Sequence, residues 1–71
     1  MNSINPSKLL LSKWTAVNPS DNEKHFQVTR VFPTASRNLI QIELLALTSS
    51  RKRRMVWTEL KDDQQWQPGW R

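Results

Sequence analysis

The stretch KHFQVTRVF, Lys24 to Phe32, carries the clearest period in the chain. Phe26, Val28, Arg30 and Phe32 fall on one side of an alternation, and His25, Gln27, Thr29 and Val31 on the other. A period of two belongs to a half-buried β-strand. Pro33 ends it, because proline has no N–H to give the ladder. Thr34 to Arg37 reads as a polar loop.

Toward the C-terminus, NLIQIELLAL, Asn38 to Leu47, alternates as well. Ile40, Ile42 and Leu44 face one way, Gln41 and Glu43 the other. The phase is lost at Leu44-Leu45, which predicts a bulge there or burial of both faces. A helix over Glu43 to Leu47 competes, since Leu, Glu and Ala favour it. The β-branched Ile40 and Ile42 decide for a strand. Thr48-Ser49-Ser50 reads as a turn, and Lys52 to Leu60 as a fourth strand, with Met55 and Trp57 opposed to Val56, Thr58 and Leu60.

Toward the N-terminus, Asn18 to Asn22 is a turn: Pro19 presets φ, and Asp21 and Asn22 tolerate unusual backbone angles. Ser12 to Val17 before it has strand character. Asn5-Pro6 reads as an N-cap followed by proline at the first helical position, opening a short helix over Pro6 to Leu11. Met1 to Ile4 reads as a flexible tail. Short connections between successive strands imply antiparallel neighbours. The expected fold is a small, mainly β α+β domain. It is a four-stranded antiparallel meander with a short N-terminal helix and an irregular, tryptophan-rich C-terminal lid.

Seventy-one residues, 1–71, make a single domain. At this size a chain hides only about 60% of its unfolded surface. There is no cysteine to staple it and one histidine, so no structural metal or cofactor is expected. No run approaches the roughly 20 apolar residues of a membrane span. Leu9-Leu10-Leu11 is too short for a secretory signal. These features predict a soluble cytoplasmic protein. Stability rests on a few large side chains, which explains four tryptophans in so short a chain.

Three of them lie in the closing segment MVWTELKDDQQWQPGWR, Met55 to Arg71. Asp62 with Gln65 three residues on fits a capping box for one helical turn. Pro68-Gly69 within Gln67 to Trp70 fits a type II turn, which would fold Trp66 and Trp70 back onto one sheet edge. Trp14 and Trp66 are assigned to the core, Trp57 and Trp70 to exposed or half-exposed positions.

SKWTAV near the start, EKHF at the second strand, a basic run before Trp57, and the closing W-x-E-L-K-D-x-x-x-W-x-P-G-W-R make a pattern of rare residues. In these motifs the chain resembles small tryptophan-rich bacterial proteins grouped as a family of unknown function. The resemblance spans Asn5 to Arg71. It implies a bacterial cytoplasmic protein and brings no established activity or site residues.

The formal net charge is +5, from eleven Lys and Arg against six Asp and Glu. Such an excess favours polyanionic partners. Arg51, Lys52, Arg53 and Arg54 form a basic hairpin beside aromatic residues. That suits single-stranded RNA or DNA, where phosphates meet cations and bases stack on rings. The expected site is Arg51, Lys52, Arg53 and Arg54 with Lys13 and Lys24 on phosphates, and Trp57 or Trp70 under a base. The plain alternative is a solvated turn whose charges guard a strand edge. The alternative function is a protein-interaction adaptor that uses its Trp and Arg surface and offers a sheet edge to a protein partner. Catalysis is not expected. His25 has only Asp21 and Glu23 nearby in sequence and no nucleophile motif. Glu59, Asp62 and Asp63 read as a cap and solvated acids before they read as an acid–base or metal cluster. The single glycine excludes a glycine-rich phosphate loop.

Overall fold

A computed structural model describes residues 1–71 as one five-stranded antiparallel sheet. The strands are β1 (Lys13–Ser20), β2 (Glu23–Phe32), β3 (Gln41–Ala46), β4 (Lys52–Val56) and β5 (Trp66–Pro68). Their order across the sheet is β4-β3-β2-β1-β5. The first four are the expected meander. The fifth is new: the closing segment, read from sequence as an irregular lid, pairs with the free edge of β1. Trp14 lies opposite Pro68, Thr15 opposite Gln67 and Ala16 opposite Trp66. An edge strand tolerates Pro68 because its outer side needs no donor.

No α-helix forms. The N-terminal helix shrinks to a 3-10 turn, Pro6–Lys8, capped as expected by Asn5, whose Oδ1 accepts from the Ser7 amide at 3.0 Å. Leu11 then takes a φ of 66° and gives its amide to the Val28 carbonyl at 2.7 Å. Joining the sheet here costs the chain its second helical turn. Only Leu9 of the three leucines is buried. The expected flexible tail is fastened down. The Asn2 amide donates to the Lys61 carbonyl, and its side chain to the carbonyls of Leu60 and Trp66, all at 2.8 Å.

β1 and β2 join through Asp21 and Asn22, whose φ values of 54° and 61° are those of a two-residue type I′ turn. Asn and Asp enter this left-handed region more readily than other side chains.

The strand that decides the fold carries a bulge. Val28 lies opposite Leu44, but Arg30 lies opposite Glu43 and Val31 opposite Ile42. Thr29 is the additional residue, and it reverses the phase of β2. Phe26 and Val28 face the core, then Val31 does, while Arg30 and Phe32 pass to the other side. Strict alternation, as read from sequence, would drive an unpaired guanidinium into the core at a cost of several kcal/mol. Of the two outcomes expected at Leu44-Leu45, a bulge or burial of both faces, the bulge is absent and the second face is only half-buried. β3 alternates without a break, burying Ile42, Leu44 and Ala46 and leaving Leu45 half-buried on the far face.

The core sits on one face of the sheet, on Trp14, Phe26, Val28, Ile42, Leu44 and Ala46. Leu9, Trp57, Leu60 and Trp66 complete it. The fourth strand is shorter than expected. It ends at Val56, and Trp57–Lys61 is a 3-10 turn. Three residues per turn bring positions i and i+3 to one side, so Trp57 and Leu60 enter the core together, 2% and 0% exposed. Trp57 is therefore not the exposed or half-exposed ring expected from sequence; it keeps the core-side phase of Met55, which lies opposite Ile42. Its indole donates to the Arg37 carbonyl at 2.7 Å. Trp14 and Trp66 are buried and Trp70 is 44% exposed, as read from sequence.

Candidate nucleic-acid interface

The second face of the sheet has no layer over it, and its rows follow from the register. Lys13 lies beside Gln27, Gln27 beside Leu45, and Leu45 beside Lys52. Arg30, Glu43 and Arg54 make the next row, and Phe32, Gln41 and Val56 the one after. On the other side of the Lys13 row lie Gln67, Thr15 and His25.

Trp70 is laid onto this open face by its neighbours. The Gly69 amide donates to the Lys13 carbonyl at 2.8 Å. Thr15 Oγ1 donates to the Gly69 carbonyl at 2.7 Å and accepts from the Arg71 amide at 2.9 Å. Gly69 has a φ of 78°, the left-handed value that the expected Pro-Gly turn requires. The Trp70 indole donates to the Phe26 carbonyl at 2.9 Å. Lys13 Nζ is 4.7 Å from the centre of its ring. The His25 ring lies 6.4 Å away at 55°. His25 Nε2 is 3.0 Å from the Arg71 carbonyl oxygen. Asp21 and Glu23, its conceivable carboxylate partners, are both taken by Arg51.

The basic run is divided between two faces. Arg53 lies opposite Leu44 and shares its core side, whereas Lys52 and Arg54 lie opposite Leu45 and Glu43 on the open side. Arg51 is an ion-pair residue. Its Nε and Nη2 contact both oxygens of the buried Glu23 carboxylate at 2.9 and 2.8 Å, and the Ser49 hydroxyl donates to the same carboxylate. The Arg51 hydrogen bonds, reinforced by Ser49, hold the Glu23 carboxyl down at about 2 and push the Arg51 guanidinium up. This network ties the start of β2 to the β3–β4 turn. Arg53 lies 5.9 Å from the Phe26 ring centre and 6.0 Å from that of Trp66. It borders a cleft of about 260 Å³ on the core side that Glu59 and Asp62 also line. Asp63 is not part of that cleft.

Of the residues assigned to nucleic acid from sequence, Lys13, Lys52, Arg54 and Trp70 are thus brought onto one face. Arg53 is not, because strand alternation turns it to the core side, and Arg51, ahead of β4, is engaged by Glu23 and Asp21. Lys24 has the phase of Phe26 and lies off the open face. Trp57 cannot stack a base, because it is enclosed. Sequence reasoning missed Arg30 and Phe32, which only the bulge at Thr29 delivers. Arg54 and Arg30 stand 3.8 and 5.3 Å from the Phe32 ring centre. The signal was Val28 and Val31, two apolar residues three apart with an arginine between them.

The family model described as Tryptophan-rich protein (DUF2389) matches residues 12–71, which include all four tryptophans. Neither the curated proteins nor the solved structures give a match.

Proposed function

We propose that this chain, which belongs to the tryptophan-rich protein family, is a non-catalytic module that binds single-stranded nucleic acid, RNA in the first place, on its open sheet face. The observation that carries the reading is Trp70, the one tryptophan left exposed, lying beside Lys13 on a face that also bears Arg30, Lys52 and Arg54. An exposed ring on a sheet is a platform for an unstacked base, worth about 1–3 kcal/mol per base. Cations around it neutralise phosphates and release counterions. Single strands fit this arrangement because their bases are free to splay onto the ring.

The test is fluorescence anisotropy with a labelled mixed-sequence single-stranded RNA of twelve nucleotides, at low ionic strength and then in rising salt. Binding that weakens with salt, and that Trp70→Ala weakens by about tenfold, supports the reading. No binding at low salt, or equal binding by Trp70→Ala, overturns it.

A second reading, a protein-interaction adaptor, has one observation in its favour. The Ala46 amide bonds the Arg51 carbonyl and the Trp57 amide bonds the Ile40 carbonyl. The backbone groups of Lys52, Arg54 and Val56 therefore face away from β3, and a partner strand can add there. A purified partner that stays bound after nuclease digestion would favour this reading over the first.

A further inference from the structure

We infer that Arg30 and Arg54 act together as one oxyanion clamp that takes a single phosphodiester of the bound strand. The inference rests on the open-face reading and names the place of the phosphate within it.

The two guanidinium groups come from different strands and converge on one ring, that of Phe32, at 5.3 and 3.8 Å. Arg54 is held in place, its Nε donating to the Gln41 side-chain carbonyl. Neither arginine is in an ion pair. Two guanidinium forks against a shared ring offer several N–H donors to one tetrahedral anion, the geometry in which arginine recognises phosphate better than lysine does.

The acid that should neutralise them does not. Glu43 is the direct cross-strand neighbour of both Arg30 and Arg54. Yet its carboxylate accepts from the Thr29 hydroxyl, Oγ1 to Oε2 at 3.2 Å, and the same hydroxyl reaches the Glu43 carbonyl at 3.4 Å. Thr29 is the bulge residue itself. One additional residue thus does two things: it turns Arg30 out of the core toward Arg54, and it offers the intervening carboxylate another partner. Bulges recur where a strand must re-aim a side chain at a site. Thr29 is a positioning residue, because it acts on the anion only through the arginines, and Glu43 is the neighbouring negative charge it draws aside.

The experiment is a double-mutant cycle on single-stranded RNA binding with Arg30→Met, Arg54→Met and the pair. Methionine keeps most of the apolar stem over Phe32. If both arginines grip one phosphate, each single change costs about tenfold and the double change little more. The slope of log K against log salt then falls by about 0.7, the value for one phosphate on a single strand. Losses that add fully, with twice that change of slope, would mean two independent charges and would overturn the clamp. Glu43→Gln gives a second reading with the opposite sign. Removing the competing carboxylate should tighten binding several-fold, and weaker binding by that variant speaks against the inference.

The arms separate this idea from the one it rests on. RNA binding that needs Trp70 but ignores Arg30 and Arg54 sinks the clamp alone. If no strand binds at all, the open-face reading falls. The clamp is then judged by titrating dimethyl phosphate and inorganic phosphate while following the Arg54 Nε–H resonance. A shift with dimethyl phosphate that Arg30→Met removes supports it, and a shift with inorganic phosphate alone identifies a free-phosphate site instead of a strand-backbone site. An unmoved resonance with both ligands ends it.

Discussion

Lys13 and Trp70 are 57 residues apart in sequence, and the Lys13 ammonium stands 4.7 Å from the centre of the Trp70 ring. The contact exists because the chain after β5 keeps to β1, with the Gly69 amide on the Lys13 carbonyl and Thr15 gripping the backbone on either side of Trp70. A ring so placed is both fixed and wet. Its edge nitrogen is satisfied by Phe26, the Lys13 ammonium and the His25 ring lie beside it, and Trp70 stays 44% open to solvent. The other three indoles, in the core, cannot be reached without opening the sheet.

That difference is readable by fluorescence. Trp14, Trp57 and Trp66 are 4%, 2% and 7% exposed against 44% for Trp70. Acrylamide should therefore quench one component of the emission readily and the remainder poorly. Trp70→Phe should remove the quenchable component and move the emission maximum to shorter wavelength. An equal loss of quenching in Trp57→Phe would contradict the core position of Trp57.

The Glu23–Arg51 pair predicts how the fold responds to acid. The Glu23 carboxyl titrates at about 2 in the fold against an ordinary value of 4.5, chiefly because Arg51 and then Ser49 hydrogen-bond its charged form. A depressed carboxyl stabilises the fold above its unfolded pKa, and that stability is lost as the pH falls toward the folded value. The urea midpoint should hold above about pH 5 and decline between 4.5 and 2. Glu23→Gln should lower the midpoint at neutral pH and flatten the decline. A wild-type midpoint that does not change over that interval would mean the pair is not formed.

The sheet was legible from residue pattern because its cause is local: apolar residues at a period of two, broken by Pro33 and by Asp21-Asn22. What stayed hidden was set by partners distant in the chain. β5 has three residues and no period of its own; it is a strand only because β1 leaves an edge free. Trp57 has the core-side phase of Met55, but its enclosure includes an indole bond to the Arg37 carbonyl 20 residues away. The open face was half legible. Lys13, Lys52, Arg54 and Trp70 could be named as types, but the division of Arg51 to Arg54 between two faces needs the β3 register. Arg30 needs the bulge.

Trp57 gives a stability prediction on the same ground. Truncating a buried tryptophan costs about 3–5 kcal/mol, and small domains hold only about 5–15 kcal/mol in all. Trp57→Ala should be largely unfolded or melt far below the wild type. Trp57→Phe keeps most of the apolar bulk but leaves the Arg37 carbonyl without its indole donor, a loss of about 1–3 kcal/mol. Chemical denaturation of both variants would rank them. A Trp57→Ala protein as stable as the wild type would show that this ring is not part of the core.

Gly69 separates the fold from the proposed binding platform. Its φ of 78° strains any residue with a side chain, but a Cβ built there meets nothing within 4 Å. The cost of Gly69→Ala is therefore conformational alone, about 1–2 kcal/mol. The sheet can shed that strain by letting Gly69 relax to negative φ, which breaks the Thr15 contacts and lifts Trp70 from the Lys13 row. Gly69→Ala should then melt only a few degrees lower while losing about as much affinity for single-stranded RNA as Trp70→Ala does. Wild-type affinity in a destabilised Gly69→Ala protein would show that the position of Trp70 over β1 is not what the strand recognises.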